Sequence, residues 1–425
     1  MVPVLIIAVI IIVMSNVNLG KDYKTGTIES DGKGYYAYLP AVLIYHDLSF
    51  RFFYQVERVT YHNPGLYYAY LREHNGHTIN KYYSGTALSM LPFFCLGHLT
   101  TLLTDLPTDG YSYYYTLWVH LGAIFYLFIG LIAIRKLLRS YQIKEKWIAL
   151  TLAIIVFGTN LFYYVLTEYS MSHVYSFAWI SLFMAIIRKY FLEGTKRSFV
   201  LSALLLGIIF LIRPVNLLII FIIPFLAGNP ELLFQRIKDL IKAPLTLLTS
   251  AIIFIVTAGL QAVIYKIQTG SFFVYSYPGE GFDFGNPQIL NMLISYRKGL
   301  FVYTPVYLLS LVGIYFLGKK LRYQALLAGI FLFLITYVFS SWHMWYYGGS
   351  FSQRVFIDYL PVFAIFLSVS FQQLPQGWIR KSFITTTILL TLFCQYQTYQ
   401  YRHMVIHWSD MNKESYWNNM FKITP

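Results

Sequence analysis

Apolar residues in this chain fall into long runs separated by short polar and charged stretches. A helix needs roughly 17–25 mostly apolar residues to cross a hydrocarbon core of ~30 Å. Runs of that order lie near 2–18, 113–134, 148–166, 174–190, 198–212, 215–228, 244–266, 300–318, 323–341, 358–372 and 382–399. The pattern predicts an all-α polytopic membrane protein with about eleven transmembrane helices. The runs at 198–212 and 215–228 are short and meet at Arg213-Pro214, which predicts a hairpin of two short helices. A further run, 84–104, is apolar enough to span but is interrupted by Pro92, Gly97 and His98. It is read as a helix lying at, or dipping into, the outer interface.

Charge sets the expected orientation. Five short loops carry 17 of the 32 Lys and Arg residues: Arg135, Lys136, Arg139, Lys144 and Lys146; Arg188, Lys189, Lys196 and Arg197; Arg236, Lys238 and Lys242; Lys319, Lys320 and Arg322; Arg380 and Lys381. With eleven spans all five fall on one side, which the positive-inside bias makes the cytoplasm. The N-terminus is then inside, the first span is retained as an anchor because no small-residue cleavage site follows it, and the tail 400–425 is outside. The chain reads as a single membrane domain, residues 1–425, with a first outer loop at 19–112 containing interfacial helices and a later outer loop at 267–299.

Composition agrees with this reading. Hydrophobic residues make up 57% of the 425 and charged residues 12%, with mean hydropathy +0.55. A soluble domain carries roughly 25% charge, so a water-exposed globule is excluded, and disorder with it. Cys95 and Cys394 alone exclude a disulfide scaffold. The net charge of +14 does not imply nucleic acid, because the basic residues fall largely in the short loops between apolar runs. Frequent Ile, Tyr, Phe and Lys suggest an AT-rich bacterial genome and hence a bacterial inner membrane, with any chemistry on the periplasmic side.

The unusual polar residues belong to the expected outer face. Asp31, in Ser30-Asp31-Gly32 just after the first run, is placed to accept a proton from an attacking hydroxyl; a plain turn is the alternative for an Asp beside Gly. Asp47 and Glu168 are further carboxylates. Lys81, in Asn80-Lys81-Tyr82-Tyr83-Ser84-Gly85, is a cation at headgroup depth suited to a lipid phosphate or simply snorkelling to the interface. Arg297 and Lys298 flank an outer span end, against the positive-inside bias, and Arg213 and Arg354 raise the same question. Intramembrane ionisable residues are functional candidates. His173 and His343 lie on outer edges as polar ligands for a substrate. His403 and His407 are four apart, but no third ligand is nearby, so no metal is expected. Residues 276–286, SYPGEGFDFGN, read as a mobile outer loop able to close over a site.

Together these features resemble the GT-C superfamily of membrane glycosyltransferases, which includes protein O-mannosyltransferases and aminoarabinose transferases. The likeness is an order of features over almost the whole chain: an acidic residue after span one (Asp31), an approach like Asn80–Gly85 leading into an apolar Pro-containing run, and an outer loop at 267–299 before late spans. It implies sugar transfer from a polyprenyl-phosphate donor to a glycan, lipid or protein hydroxyl, with Asp31 as base and no cofactor. Lys81, Arg297, Lys298 and Arg213 would meet the departing phosphate. Tyr35, Tyr36, Tyr82 and the Trp342/Trp345 pair would stack on sugar or hold lipid, with Glu168, His173, His343 and Arg354 completing the substrate site. A transporter or flippase, or a lipid-linked glycan polymerase or ligase, are the alternatives. The sugar, the acceptor and the stereochemical course are not encoded legibly.

Overall fold

In the computed structural model, which describes residues 1–18, 28, 30–60 and 70–424, the apolar runs are helical. The parts of the first outer loop at 19–27, 29 and 61–69 lie outside the described residues. Among the described residues five helices are long and apolar enough to cross a membrane: Tyr113–Ser140, Ser172–Glu193, Pro244–Thr269, Arg322–Ser340 and Arg354–Gln373, the last beginning as a 3-10 turn over Arg354–Tyr359. A sixth arises if Pro214–Ala227 and Pro230–Ile241, bent by 115°, count as one span. These helices fit a membrane protein.

Of the other expected spans, 2–18 and 382–399 form the unbroken helices Val2–Asn18 and Trp378–Arg402 without joining these five, and the rest are interrupted or cut short. The run at 148–166 forms Glu145–Phe157 and Leu161–Leu166, interrupted over 158–160. The run at 300–318 is divided into Leu300–Tyr303, Val306–Ser310 and Val312–Lys320. Pro305 lacks the N–H an α-helix needs, and the Leu300 carbonyl takes both the Thr304 N–H at 3.0 Å and the Thr304 hydroxyl at 2.6 Å as the short helix ends. Arg213 is extended, φ −154° and ψ 113°, between Lys196–Ile212 and the 3-10 turn Pro214–Ile222. Pro214 disfavours the α-conformation for the residue before it, so the Arg-Pro dipeptide itself ends the helix.

Gly85–Thr101 is a helix packed along the bundle. Its Thr100 accepts from Trp118 Nε1 at 2.9 Å, and Phe93 packs on Phe125 and Tyr126. It therefore runs antiparallel to the first half of Tyr113–Ser140. Two glycines permit the approach: a Cβ on Gly97 would lie 2.9 Å from Tyr115 Cα, and one on Gly85 2.4 Å from the Ile212 nitrogen. These glycines thus bring its backbone close to Ile212 on one side and Tyr115 on the other.

Among the described residues the one sheet is a hairpin, Leu71–His74 with His77–Asn80, in register Leu71↔Asn80. Asn75 and Gly76 turn it with φ 50° and 78°, the two positive angles a type I′ hairpin turn requires.

The five basic clusters meet at one end of the bundle. Lys144 N donates to Gln372 Oε1 at 2.8 Å, and Arg380 lies 5.6 Å from the Trp147 ring centre. Arg188 donates to the Leu226 carbonyl at 2.7 Å and covers the Tyr141 ring, while Arg236 Nε donates to Phe191 O at 3.0 Å. Beside the 319–322 cluster, Tyr323 donates to Pro224 O at 3.3 Å and Gln324 to Phe225 O at 3.3 Å. The helix Ser172–Glu193 links this end to the polar site: fifteen residues separate His173 from Arg188, about 22 Å at 1.5 Å per residue.

Candidate functional site

At the end opposite the basic loops lies a cavity of about 810 Å³. Its floor begins at Asp31, the first residue of the helix Asp31–Leu43, where a carboxylate complements the helix dipole. Two glycines fix that helix start. A Cβ on Gly32 would fall 2.1 Å from Ser170 Oγ, and one on Gly34 2.4 Å from Tyr82 Cδ2 and 2.5 Å from Tyr70 Cβ. Ser30, which precedes the helix, takes φ 52° and Tyr347 on the opposite wall φ 55°. Both are positive angles that non-glycine residues rarely adopt, and such strain persists only where surrounding structure enforces it.

Charged residues converge here from distant parts of the chain. Arg354 Nη2 donates to Asp31 Oδ2 at 2.7 Å. Glu280 Oε1 receives both Arg72 Nη2 at 3.0 Å and Lys81 Nζ at 3.3 Å; the hairpin delivers Arg72 from its first strand and Lys81 just past its second. Behind the wall sits Asp358, fully buried. Its Oδ1 lies 2.8 Å from His173 Nδ1, and its Oδ2 takes Asn216 Nδ2 at 2.8 Å and Arg213 Nη1 at 3.3 Å. Lys81 also lies 5.3 Å from the Tyr82 ring centre and 5.6 Å from that of Tyr277, close enough for cation–π attraction. Arg72, Lys81, Arg213, Arg354 and Arg402 line the cavity against Asp31, Glu168 and Glu280, so it remains net positive even with Asp358 behind it.

The environment decides how Asp31 behaves. Burial opposes its negative charge, but Arg354, a hydrogen bond from Tyr82 and the Lys81 charge outweigh burial and hold its carboxyl below the usual range. Asp31 is thus a firmly ionised group and a weak base. Burial and the Asp31 charge together push the Tyr82 hydroxyl well above its ordinary value, so it stays a neutral donor.

The cavity collects Asp31, Lys81, Arg213, Tyr35, Tyr82, Glu168, His173, His343 and Arg354. Tyr36, Trp345, Arg297 and Lys298 are not on its wall. Tyr36 is fully buried with its hydroxyl on the Gly110 carbonyl, and Trp345 packs beside Tyr346 while Trp342 lines the cavity. Arg297 is spent on the Ser409 carbonyl at 2.9 Å, Asp410 at 3.2 Å and the face of Tyr346. Lys298 is buried and donates to the carbonyls of Ser350 and Trp408. Burial, with the nearby charges of Arg354 and Arg297, pushes its ammonium down to about 7. These two cations fasten residues 297–298 to Ser350 and to the 408–410 segment. His407 accepts from the backbone of Ser409 and Asp410 in a turn. The 276–286 loop is tied rather than loose: Asp283 N donates to Ser341 O at 2.7 Å and His343 N to Gly281 O at 2.9 Å.

Sequence reasoning missed Asp358, Arg72, Tyr277 and Tyr347. Asn75-Gly76 was a hairpin signal that would have placed Arg72 beside Lys81. Asp358 follows Arg354 by four, a spacing that on an α-helix pairs the two with each other. The 3-10 turn sends them apart, one to Asp31 and one to Arg213.

No family model matches the chain, and no curated protein matches it.

Proposed function

We propose that this protein transfers a sugar from a polyprenyl-phosphate donor to an acceptor hydroxyl, in a cavity open to the outer side of a bacterial inner membrane. The observation that carries the reading is the net-positive cavity at the end of the bundle remote from the basic loops, with Arg213, Arg354 and Lys81 on one wall system and apolar Ile212, Pro214 and Val215 beside them. A phosphodiester monoanion matches a small positive surplus, and the apolar stretch suits the first units of an isoprenoid. Counting each of the eleven helical runs as one crossing puts the basic end in the cytoplasm and the cavity outside.

In this scheme the acceptor oxygen attacks the anomeric carbon as the bond from that carbon to the phosphate oxygen breaks, the electron pair leaving with the phosphate. Arginine and lysine stabilise that charge, an electrostatic contribution commonly of about 3–4 kcal/mol per well-aimed donor. Arg354 would divide its donors between Asp31 and the phosphate. The acceptor proton needs a base, and the cavity offers carboxylates at Asp31 and Glu168 and imidazoles at His173 and His343.

The helix interruptions over 158–160, at Arg213-Pro214 and at Thr304-Pro305 give a transporter or flippase some ground, because broken helices are how such proteins build midplane sites. One experiment separates the two. Purified protein in vesicles is given radiolabelled polyprenyl-phosphate sugars, and both sugar release and lipid movement across the bilayer are followed. Turnover that falls on Asp31→Asn in a folded, donor-binding variant supports transfer with Asp31 in the machinery. Lipid movement without turnover of any donor refutes transfer.

A further inference from the structure

Among the groups able to take that proton, His173 stands apart, because the buried Asp358 behind it gives the pair the geometry of an oriented proton acceptor. Asp358 is fully buried and its second oxygen is held by Arg213 at 3.3 Å and Asn216 at 2.8 Å. A carboxyl group that already accepts from both of these donors offers His173 an acceptor oxygen. His173 Nδ1, 2.8 Å from the first oxygen, must therefore carry the proton. A neutral imidazole has one N–H, so Nε2 is left with its lone pair. The ring is clamped edge-on by Tyr164, with centroids 5.3 Å apart at 78°. His173 lines the cavity, and among the described residues no protein group hydrogen-bonds Nε2.

Asp31 is in the opposite situation. Its Oδ2 is 2.7 Å from a guanidinium, Tyr82 also donates to it, and Lys81 adds positive charge. The Asp31 carboxylate is thus engaged by cations and a phenol, whereas among the described residues nothing occupies His173 Nε2. Asn216 reinforces the other site: it donates to Asp358 and lies 3.1 Å from Ser176 Oγ, while Tyr359 donates to its carbonyl at 3.4 Å. These contacts leave Asp358 little freedom to turn away from His173.

We infer that His173, oriented by Asp358, is the group that takes the acceptor proton, and that Asp31 positions the acceptor hydroxyl. The inference rests on the glycosyl-transfer reading. The acceptor O–H passes its proton to His173 Nε2 as the oxygen bonds to the anomeric carbon and the carbon–oxygen bond to phosphate breaks, its electron pair going to the phosphate. Asp358 touches both sides of this event. It stabilises the imidazolium through Oδ1, and through Oδ2 it holds Arg213, whose other nitrogens are available to the departing phosphate. Asp358 acts through His173 and Arg213 and is a positioning residue.

The test uses the full-length protein in vesicles with a polyprenyl-phosphate sugar that the wild type turns over. His173→Gln keeps a donor for Asp358 but has no basic nitrogen, so kcat should fall roughly 10²–10⁴-fold, the usual worth of a general base, with donor KM within about threefold of wild type. Asp358→Asn can present its amide N–H to Nδ1 and so turn Nε2 into a donor; kcat should fall similarly. The double variant should then fall little further, since the two residues act as one unit. A folded His173→Gln protein with kcat within about threefold of wild type overturns the inference, and a loss seen only in Asp31→Asn assigns the proton to Asp31. If Asp358→Asn does not fold, His173→Gln decides alone. Wild-type protein that moves lipid without turning over any donor refutes the transfer reading itself, a result distinct from a normal rate in His173→Gln.

Discussion

Glu280 sits where an anionic donor would have to compete with it. Its Oε1 lies 3.0 Å from Arg72 and 3.3 Å from Lys81, at side-chain exposures of 20%, 27% and 12%. A phosphate placed on Lys81 would come within about 5 Å of that carboxylate. At an effective dielectric of about 20–40 the repulsion is roughly 2–3 kcal/mol before screening. Partial exposure and salt reduce it, and about 1 kcal/mol is a reasonable net value. Glu280→Gln should therefore bind polyprenyl phosphate about fivefold more tightly than wild type. Titrating purified protein with a short-chain polyprenyl phosphate measures this directly, with no need for turnover. The gain should shrink as salt rises from about 0.05 to 0.5 M, because the Debye length falls steeply over that range. Unchanged or weaker binding, or a gain indifferent to salt, would refute the placement of the phosphate against Lys81.

Three other outcomes are expected. Gly34→Ala drives a methyl into the Tyr82 ring and Tyr70; overpacking of this kind costs about 1–3 kcal/mol, read as a lowered thermal midpoint together with weaker donor binding, since Tyr82 is a cavity wall. Lys298 has its proton affinity lowered on folding, to about 7, against ~10.4 in an unfolded chain. Between those values the unfolded state binds more protons, so this residue makes stability rise with pH from about 7 to 10, and the thermal midpoint of Lys298→Met should lack that part of the rise. For sidedness, an impermeant thiol reagent added outside intact cells should label Phe284→Cys and spare Lys320→Cys, each in a Cys95→Ser background because Cys95 is exposed; the reverse pattern would overturn the orientation.

Helices were legible because apolar length is a direct consequence of bilayer thickness, and Tyr113–Ser140 and Pro244–Thr269 follow from it closely. The breaks were less so. Arg213-Pro214 announced itself through proline's effect on the preceding residue, whereas the interruption over 158–160 depends on tertiary contact: Asn160 leaves the helix pattern to donate to Phe351 O at 3.1 Å. Asp31, Lys81, Arg213, His173 and Arg354 were found as polar or charged residues near the ends of apolar runs and do share one cavity. Arg297 and Lys298 were chosen on the same rule and do not join them. The rule detects a buried or interfacial cation, and both ligand binding and carbonyl capping satisfy it. Asp358 escaped because its neighbours in sequence, Ile357 and Tyr359, read as the start of a span; only folding shows that it faces Arg213 and His173.

Those capping contacts give the misassigned residues a purpose. The segment before Arg354 is held from three directions: Lys298 on the Ser350 carbonyl, Asn160 on that of Phe351, and Thr304 Oγ1 on Ser352 Oγ at 3.0 Å. Ser352, within this strap, takes φ 55°. Two of the three holding groups, Asn160 and Thr304, lie where helices are interrupted, and the third stands just before the helix Leu300–Tyr303. The interruptions thus shorten apparent spans but free polar groups to fix one irregular segment at bundle depth, where unsatisfied backbone is costly. That segment leads directly into the 3-10 turn that carries Arg354 toward Asp31 and Asp358 toward Arg213 and His173. The same features that weaken the case for eleven uniform helices are the ones that place the charges of the cavity.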